Sequence, residues 1–251
     1  MPDGTEGGGL GFDFVGDYSP SWETEDVAIF RVAARRFLQA EFEPHVERWT
    51  KAGIIDRSAW AAAGQAGFLC PSIPEEYGGG GGTVAHHIAW IEELERITLG
   101  SAFGDAVHSG ICAHYLSEYG TEDQKRAWLP KMASGEVICA IAMSEPGTGS
   151  DLQSVATRAI PDGEALVING QKTFITNGQN ADLVILVAKT DPKARWKGVS
   201  LVLVEARREG FKRGRNLEKI GLHAGDTSEL FFENVRVPAS NILGKEPGQG
   251  F

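Results

Sequence analysis

The residues whose types and spacing could do chemistry are concentrated in one short stretch, Ser144-Glu145-Pro146-Gly147-Thr148-Gly149-Ser150-Asp151. From spacing alone, its carboxylates Glu145 and Asp151 are the candidates for a general base. Its hydroxyls and exposed backbone N–H groups could hold an anionic or hydrogen-bonding ligand. Seven apolar residues, 137–143, run into it without interruption and read as a buried strand or a slice of buried helix. Pro146 and the glycines end either element, because Pro146 has a fixed φ and the glycines permit φ above zero. Gly147-Thr148-Gly149 supplies the first half of a dinucleotide-binding G-x-G-x-x-G turn, but Leu152 stands where the third glycine belongs. Residues 152–160 show no helical stripe to provide the N-terminus that a pyrophosphate needs. An ordinary β-turn loop without a ligand remains the other reading of the residue types.

The elements that must position this loop fall into two textures. Residues 1–21 are rich in glycine and acids and read as a mobile tail. Thr24 can cap a first helix whose stripe is Val27, Phe30, Ala34, Phe37 and Leu38, and Pro44 should end or kink it. A second helix starts near Asp56 and buries Trp60 and Ala63. The five glycines 78–82 are followed by no Gly-Lys-Ser/Thr and read as a connector. Thr83 opens a third helix with Val84, Ile88, Ile91 and Leu94 inward. A fourth covers roughly residues 103–119, in which His108 and His114 read as ordinary helix residues rather than a metal pair. Thr121 and Gln124 form a capping box for a fifth.

From about residue 137 the pattern is strand-like. Asp162-Gly163 and Asn169-Gly170 are two-residue hairpin signals. Residues 183–188 and 199–204 are apolar strands, and 230–232 and 235–237 complete the set. The basic segment 207–219 reads as a solvated hairpin face. The predicted fold class is therefore α+β: an α-helical bundle over 22–136 followed by a compact β-barrel-like domain over 137–251. A net charge of −10 argues against nucleic acid or an anionic membrane as partner. No apolar run reaches the ~20 residues of a membrane span. The first thirty residues hold seven acids and no Lys or Arg, which reads against a secretory signal or a transit peptide. Cys70, Cys112 and Cys139 lie far apart in apolar settings, so no metal site or disulfide framework is expected, and a reducing, cytoplasmic location is.

Residues 141–152 resemble the flavin-binding signature of acyl-CoA dehydrogenases, closest in wording to the long-chain members. Two further matches follow in order, at residues 169–178 (Asn-Gly-Gln-Lys-Thr-Phe-Ile-Thr-Asn-Gly) and 221–238. The resemblance covers residues 22–251. It implies a helical N-terminal domain, a β-barrel-like middle domain and a C-terminal four-helix domain that is expected to be absent from this chain. It also implies FAD at the junction of the first two domains. The reaction implied removes the α-proton of an acyl-CoA thioester and passes a β-hydride to the flavin. Electrons then go to an electron-transferring flavoprotein, and the full-length protein is a homo-oligomer, a tetramer in the family.

By the same resemblance, the backbone of Ile141 and Ala142 lines the flavin wall, and Met143 and Ser144 hydrogen-bond its pyrimidine edge. Gly149 and Ser150 belong to the same loop, Ser150 lying near both flavin and thioester. Phe174 packs on the ring, Ile175 adjoins it, and Thr176 places its hydroxyl near N5. Lys197 and Gly198 approach the pantetheine. The family's catalytic Glu comes from the C-terminal bundle, so the base is expected beyond Phe251 and Glu145 is structural. Two alternatives stay open: a truncated or partner-dependent module that binds without turnover, and an oxidase or flavin monooxygenase on the same fold.

Overall fold

The structure is a computed structural model in which residues 20–250 are described, so the expected tail lies almost wholly outside the described residues. Helix α1 (Glu25–Glu41) buries Val27, Ala34 and Leu38, with Phe30 and Phe37 half-buried beside them. Thr24 precedes it as expected, but its hydroxyl donates to the Asp26 carboxylate at 2.5 Å rather than accepting from a backbone N–H. Beyond α1, Pro44 sits in a 3-10 turn (Glu43–His45), where its missing N–H costs nothing, and the chain re-enters a helix not foreseen, α2 (Val46–Ala52). Helix α3 (Arg57–Gln65) buries Trp60 and Ala63 as expected.

Helix α4 (Val84–Arg96) corrects the expected stripe. It buries Ala89, Trp90, Glu93 and Leu94, and leaves Val84 64% and Ile88 40% exposed. The aliphatic spacing was misleading because two other side chains orient the helix. Trp90 stacks on Phe68 with centroids 4.9 Å apart, and Glu93 is held by Arg35 at 2.7 and 2.8 Å. A large ring and a fully paired carboxylate outweigh two aliphatic side chains left in water.

The fourth expected helix is three pieces: α5 (Asp105–Val107), a wider π turn (His108–Cys112) and α6 (Ala113–Tyr119). His108 is not an ordinary helix residue. It is buried, its Nδ1 accepts from the Cys139 N–H at 3.0 Å, and its Nε2 meets the Met132 carbonyl at 3.1 Å. Burial pushes its pKa below the usual imidazole value, which keeps the ring neutral with the proton on Nε2. His114 instead meets the Ser72 hydroxyl at 3.0 Å. Helix α7 (Glu122–Ala133) has the expected capping box, Gln124 N–H to Thr121 Oγ1 at 3.3 Å and Thr121 N–H to Gln124 Oε1 at 3.0 Å.

Seven strands then form one curled sheet: β1 (Cys139–Ala142), β2 (Arg158–Asp162), β3 (Ala165–Thr176), β4 (Leu183–Lys189), β5 (Val199–Glu205), β6 (Phe211–Asn216) and β7 (Thr227–Pro238). Its order is β1-β4-β2-β3-β7-β6, with β5 also paired to β4. The unbroken apolar runs of β4 and β5 are explained by burial on both faces. Leu183, Ile185, Val187, Leu201 and Leu203 pack with Cys112, Leu116, Leu129 and Met132 of the helices. Val184, Leu186, Val202 and Val204 point the other way, into the sheet's own concave core with Leu230 and Phe232.

Two expectations about turns meet different fates. Asp162-Gly163 does turn β2 into β3. Asn169-Gly170 lies inside β3, where the pairing with β7 shifts register between Ile168 and Gly170. Glycine is needed there for closeness rather than for a turn, since a Cβ would sit 2.3 Å from Thr157 Oγ1. Residues 230–232 and 235–237 belong to the single strand β7. The basic segment contains β6, where Lys212 pairs with Glu233 at 2.6 Å, Arg215 with Glu229 at 3.2 Å, and Arg213 donates to the Ala181 carbonyl at 2.7 Å.

Candidate functional site

The loop after β1 and the end of β3 meet at one corner of the sheet. The Ser144 carbonyl accepts from the Thr173 N–H at 2.9 Å, which lays Met143 and Ser144 alongside Phe174, Ile175 and Thr176. Asn177, just beyond, donates to the Gly104 carbonyl at 3.0 Å and the Cys139 carbonyl at 3.2 Å. That one side chain thus ties β3 to the start of β1 and to the helical half. Ala142 and Ile175 are buried in the concave core, so they present only backbone. Phe174 is 69% exposed at φ +59°, an unusual conformation for a bulky residue, next to a second register shift between Lys172 and Ile175. The irregularity aims its ring outward.

Glu145 and Lys172 form the buried support of this corner. The Lys172 side chain is 0% exposed, and its ammonium donates to Glu145 Oε1 at 2.9 Å and to the Met143 carbonyl at 2.8 Å. Glu145 also accepts from the backbone N–H groups of Ala156 (2.6 Å) and Thr157 (2.9 Å). Burial would raise the Glu145 pKa, but Thr157, Ala156 and Lys172 together hold it below the usual carboxylate range. Burial lowers the Lys172 pKa, opposed by the Glu145 charge. Both oxygens of Glu145 are therefore occupied within the protein, which fits a structural carboxylate and not a base open to a ligand. Asp151 accepts from the Ser154 hydroxyl at 2.5 Å, closing its own turn.

Within the protein the Met143 carbonyl accepts from Lys172 and the Ser144 carbonyl from the Thr173 N–H. What this pair can offer a ring edge is N–H groups and the Ser144 hydroxyl. Gly149 and Ser150 lie exposed farther along the loop, and a Cβ on Gly149 would meet nothing within 4 Å. The turn of Lys197 and Gly198 lies next to the 3-10 turn Leu152–Ser154. The Gly198 carbonyl accepts from Thr190 N–H at 2.9 Å, and exposed Lys197 sits 5.4 Å from the Trp196 ring centroid.

On the helical side of β1 lies a cavity of about 570 Å³. Tyr115, Tyr119, Ile141, Met143, Leu152, Val187 and Leu201 line it, together with residues 243–246, 249 and 250. Its size and apolar character suit an elongated organic ligand. Sequence reasoning missed Lys172 and the two tyrosines. Lys172 lies in β3 between two register shifts, so its inward orientation follows from no local alternation. Cys70, Cys112 and Cys139 are free and buried. Burial raises the thiol pKa values of Cys70 and Cys139, so neither is reactive. Among the described residues no His/Cys/Asp/Glu group could hold a metal, and no helix is long and apolar enough to cross a membrane.

A helical layer against a curled sheet, with a braced loop at one corner and an apolar cavity on the helical side of β1, defines the class: a two-part α+β protein. Comparison with known proteins makes the class specific. Residues 24–136 match the acyl-CoA dehydrogenase N-terminal domain and residues 140–235 the acyl-CoA dehydrogenase middle domain. The chain is 48% identical over 226 residues to the mitochondrial long-chain specific acyl-CoA dehydrogenase of Sus scrofa, covering 89% of this chain and 52% of that protein. Among solved structures, an acyl-CoA dehydrogenase from Geobacillus kaustophilus matches with a TM-score of 0.88 at 50% identity, covering 93% of this chain and 61% of that one. A Mycobacterium smegmatis glutaryl-CoA dehydrogenase solved in complex with FADH2 matches with a TM-score of 0.81 at 31% identity, covering 90% and 57%. The chain belongs to the acyl-CoA dehydrogenase family, and it spans about half the length of the porcine relative.

Proposed function

We propose that this chain is the flavin-binding part of an FAD-dependent acyl-CoA dehydrogenase. The enzyme would convert a long-chain acyl-CoA to the trans-2-enoyl-CoA and pass electrons to an electron-transferring flavoprotein. The observation that carries the reading is the contact of Ser144 with Thr173, which unites two separate sequence motifs in one corner. The donor set fits a flavin. The half-buried hydroxyls of Ser144 and Thr176 take no part in the hydrogen bonds that brace the corner, and the exposed Phe174 face stands beside them. FAD supplies the two-electron acceptor. This chain's residues orient it and keep water from one side.

The long-chain assignment rests on similarity to the porcine relative and on the apolar cavity beside Met143. Three free, buried cysteines favour a reducing compartment, so the cytoplasmic placement is kept, although the porcine relative is named mitochondrial. The reading includes homo-oligomeric assembly, which sedimentation of the full-length protein tests. For the activity itself, the full-length protein is purified with FAD and mixed anaerobically with palmitoyl-CoA. Bleaching of the bound flavin is the expected result. A protein that stays colourless after added FAD refutes the reading, and rapid oxygen uptake in place of dye reduction would make it an oxidase.

A further inference from the structure

The buried ammonium of Lys172 has a second partner that a neutralising ion pair does not require. Glu145 already receives two backbone N–H groups, yet Lys172 also reaches 2.8 Å to the Met143 carbonyl. A peptide unit is planar and trans, so its C=O and N–H point in opposite directions. Drawing the Met143 carbonyl inward therefore turns the N–H of Ser144 the opposite way, away from the buried Lys172. The next peptide is held as well, its carbonyl by Thr173 N–H at 2.9 Å and its N–H, that of Glu145, by the Thr148 carbonyl at 2.9 Å.

We propose that Lys172 is a positioning residue for the cofactor: by fixing the Met143 peptide it aims the Ser144 N–H at the flavin edge and places a buried positive charge one peptide behind it. The proposal rests on the flavin reading above. Lys172 touches neither cofactor nor substrate; it acts through the backbone of Met143 and Ser144. Two consequences separate this role from simple charge neutralisation. Cofactor affinity depends on the donor to Met143 even when Glu145 carries no charge. A cation behind the ring edge also favours the electron-rich reduced flavin, so its loss makes the flavin potential more negative.

The test compares Glu145→Gln with Glu145→Gln/Lys172→Met in the full chain. Both lack the ion pair, and only the first keeps a donor on the Met143 carbonyl. FAD dissociation constants are measured by flavin fluorescence, midpoint potentials by dye equilibration, and apoprotein melting temperatures serve as the folding control. Glu145→Gln is expected to keep the larger share of the FAD affinity, because its Lys172 still donates to the Met143 carbonyl. The double variant should bind about tenfold or more weakly, as loss of one charge-assisted hydrogen bond implies, with a more negative potential. Equal affinities and potentials in the two variants overturn the proposal. Should the double variant not fold, Glu145→Gln/Lys172→Leu takes its place, with a side chain that carries no donor, and the same outcomes decide. Failure of the wild-type chain to bind FAD is a different result, which removes the flavin reading and this inference with it.

Discussion

In the helical half, order comes from rings packed on rings. Trp90 lies on Phe68 with an interplanar angle of 5°, Trp60 tilts over Phe103 at 4.3 Å, and Phe42 meets Trp49 and Phe103 edge-on at 5.4 and 5.1 Å. Among the described residues, the indole N–H groups of Trp49, Trp60 and Trp90 find no hydrogen-bond partner, so shape has prevailed over polar satisfaction there. In the loop after β1 the reverse holds. No apolar side chain of residues 144–151 supports it. One ion pair and a few backbone bonds do. Distributed packing shares a loss among many contacts, whereas a buried pair concentrates it in one atom, and these two regions should fail differently.

The sharpest way to expose that difference is Lys172→Met. Breaking a buried pair by removing one partner costs about 3–5 kcal/mol, which urea denaturation measures directly. A loss below about 1 kcal/mol would mean that the loop draws its order from elsewhere. Next in size is Gly170→Ala, whose Cβ would meet Thr157 at 2.3 Å. Overpacking of this kind costs about 1–3 kcal/mol, and because Thr157 N–H also binds Glu145, the damage should reach the loop. Limited proteolysis after position 145 should accelerate.

In the helical core, Leu99→Met keeps the volume of a fully buried side chain and should cost less than about 1.5 kcal/mol. A larger loss would show that the aromatic cluster is less forgiving than its redundancy suggests. The smallest effect concerns His108, which joins the two regions. Its folded pKa is depressed by burial from 6.5. Between the two pKa values the unfolded chain binds more protons, so the stabilisation is complete above about 6.5 and is lost as pH falls through the folded value. Urea unfolding should show lower stability at about pH 5.5 than at about pH 7.5, a difference that His108→Gln removes. A pH dependence unchanged by that substitution would assign the acid sensitivity to carboxylates instead.

Much of this architecture was legible in the chain. The capping box at Thr121, the hairpin at Asp162-Gly163 and the doubly buried strands β4 and β5 all follow from local residue types, because each depends on neighbours a few positions away. The two motifs of the candidate site were visible as motifs, whereas spacing alone offered Glu145 as a base and only the family resemblance made it structural. The inward face of α4, the π turn at His108, the true reason for Gly170 and the partners of Lys172 were not visible. Each is set by something distant in sequence: Phe68 and Arg35 for α4, Cys139 and Met132 for His108, Thr157 for Gly170.

By itself, then, the amino-acid order determined which segments become helix or strand and where the polar loop interrupts them, since propensity and periodicity act over one or two turns. Folding decided which side chains of those segments face one another. Lys172 and Glu145 are 27 residues apart, and whether they meet depends on a register shift in β3 that no local pattern announces. A buried ammonium needs acceptors around it, here Glu145 and the Met143 carbonyl, so only the assembled sheet could show that this lysine is an internal brace rather than a surface charge.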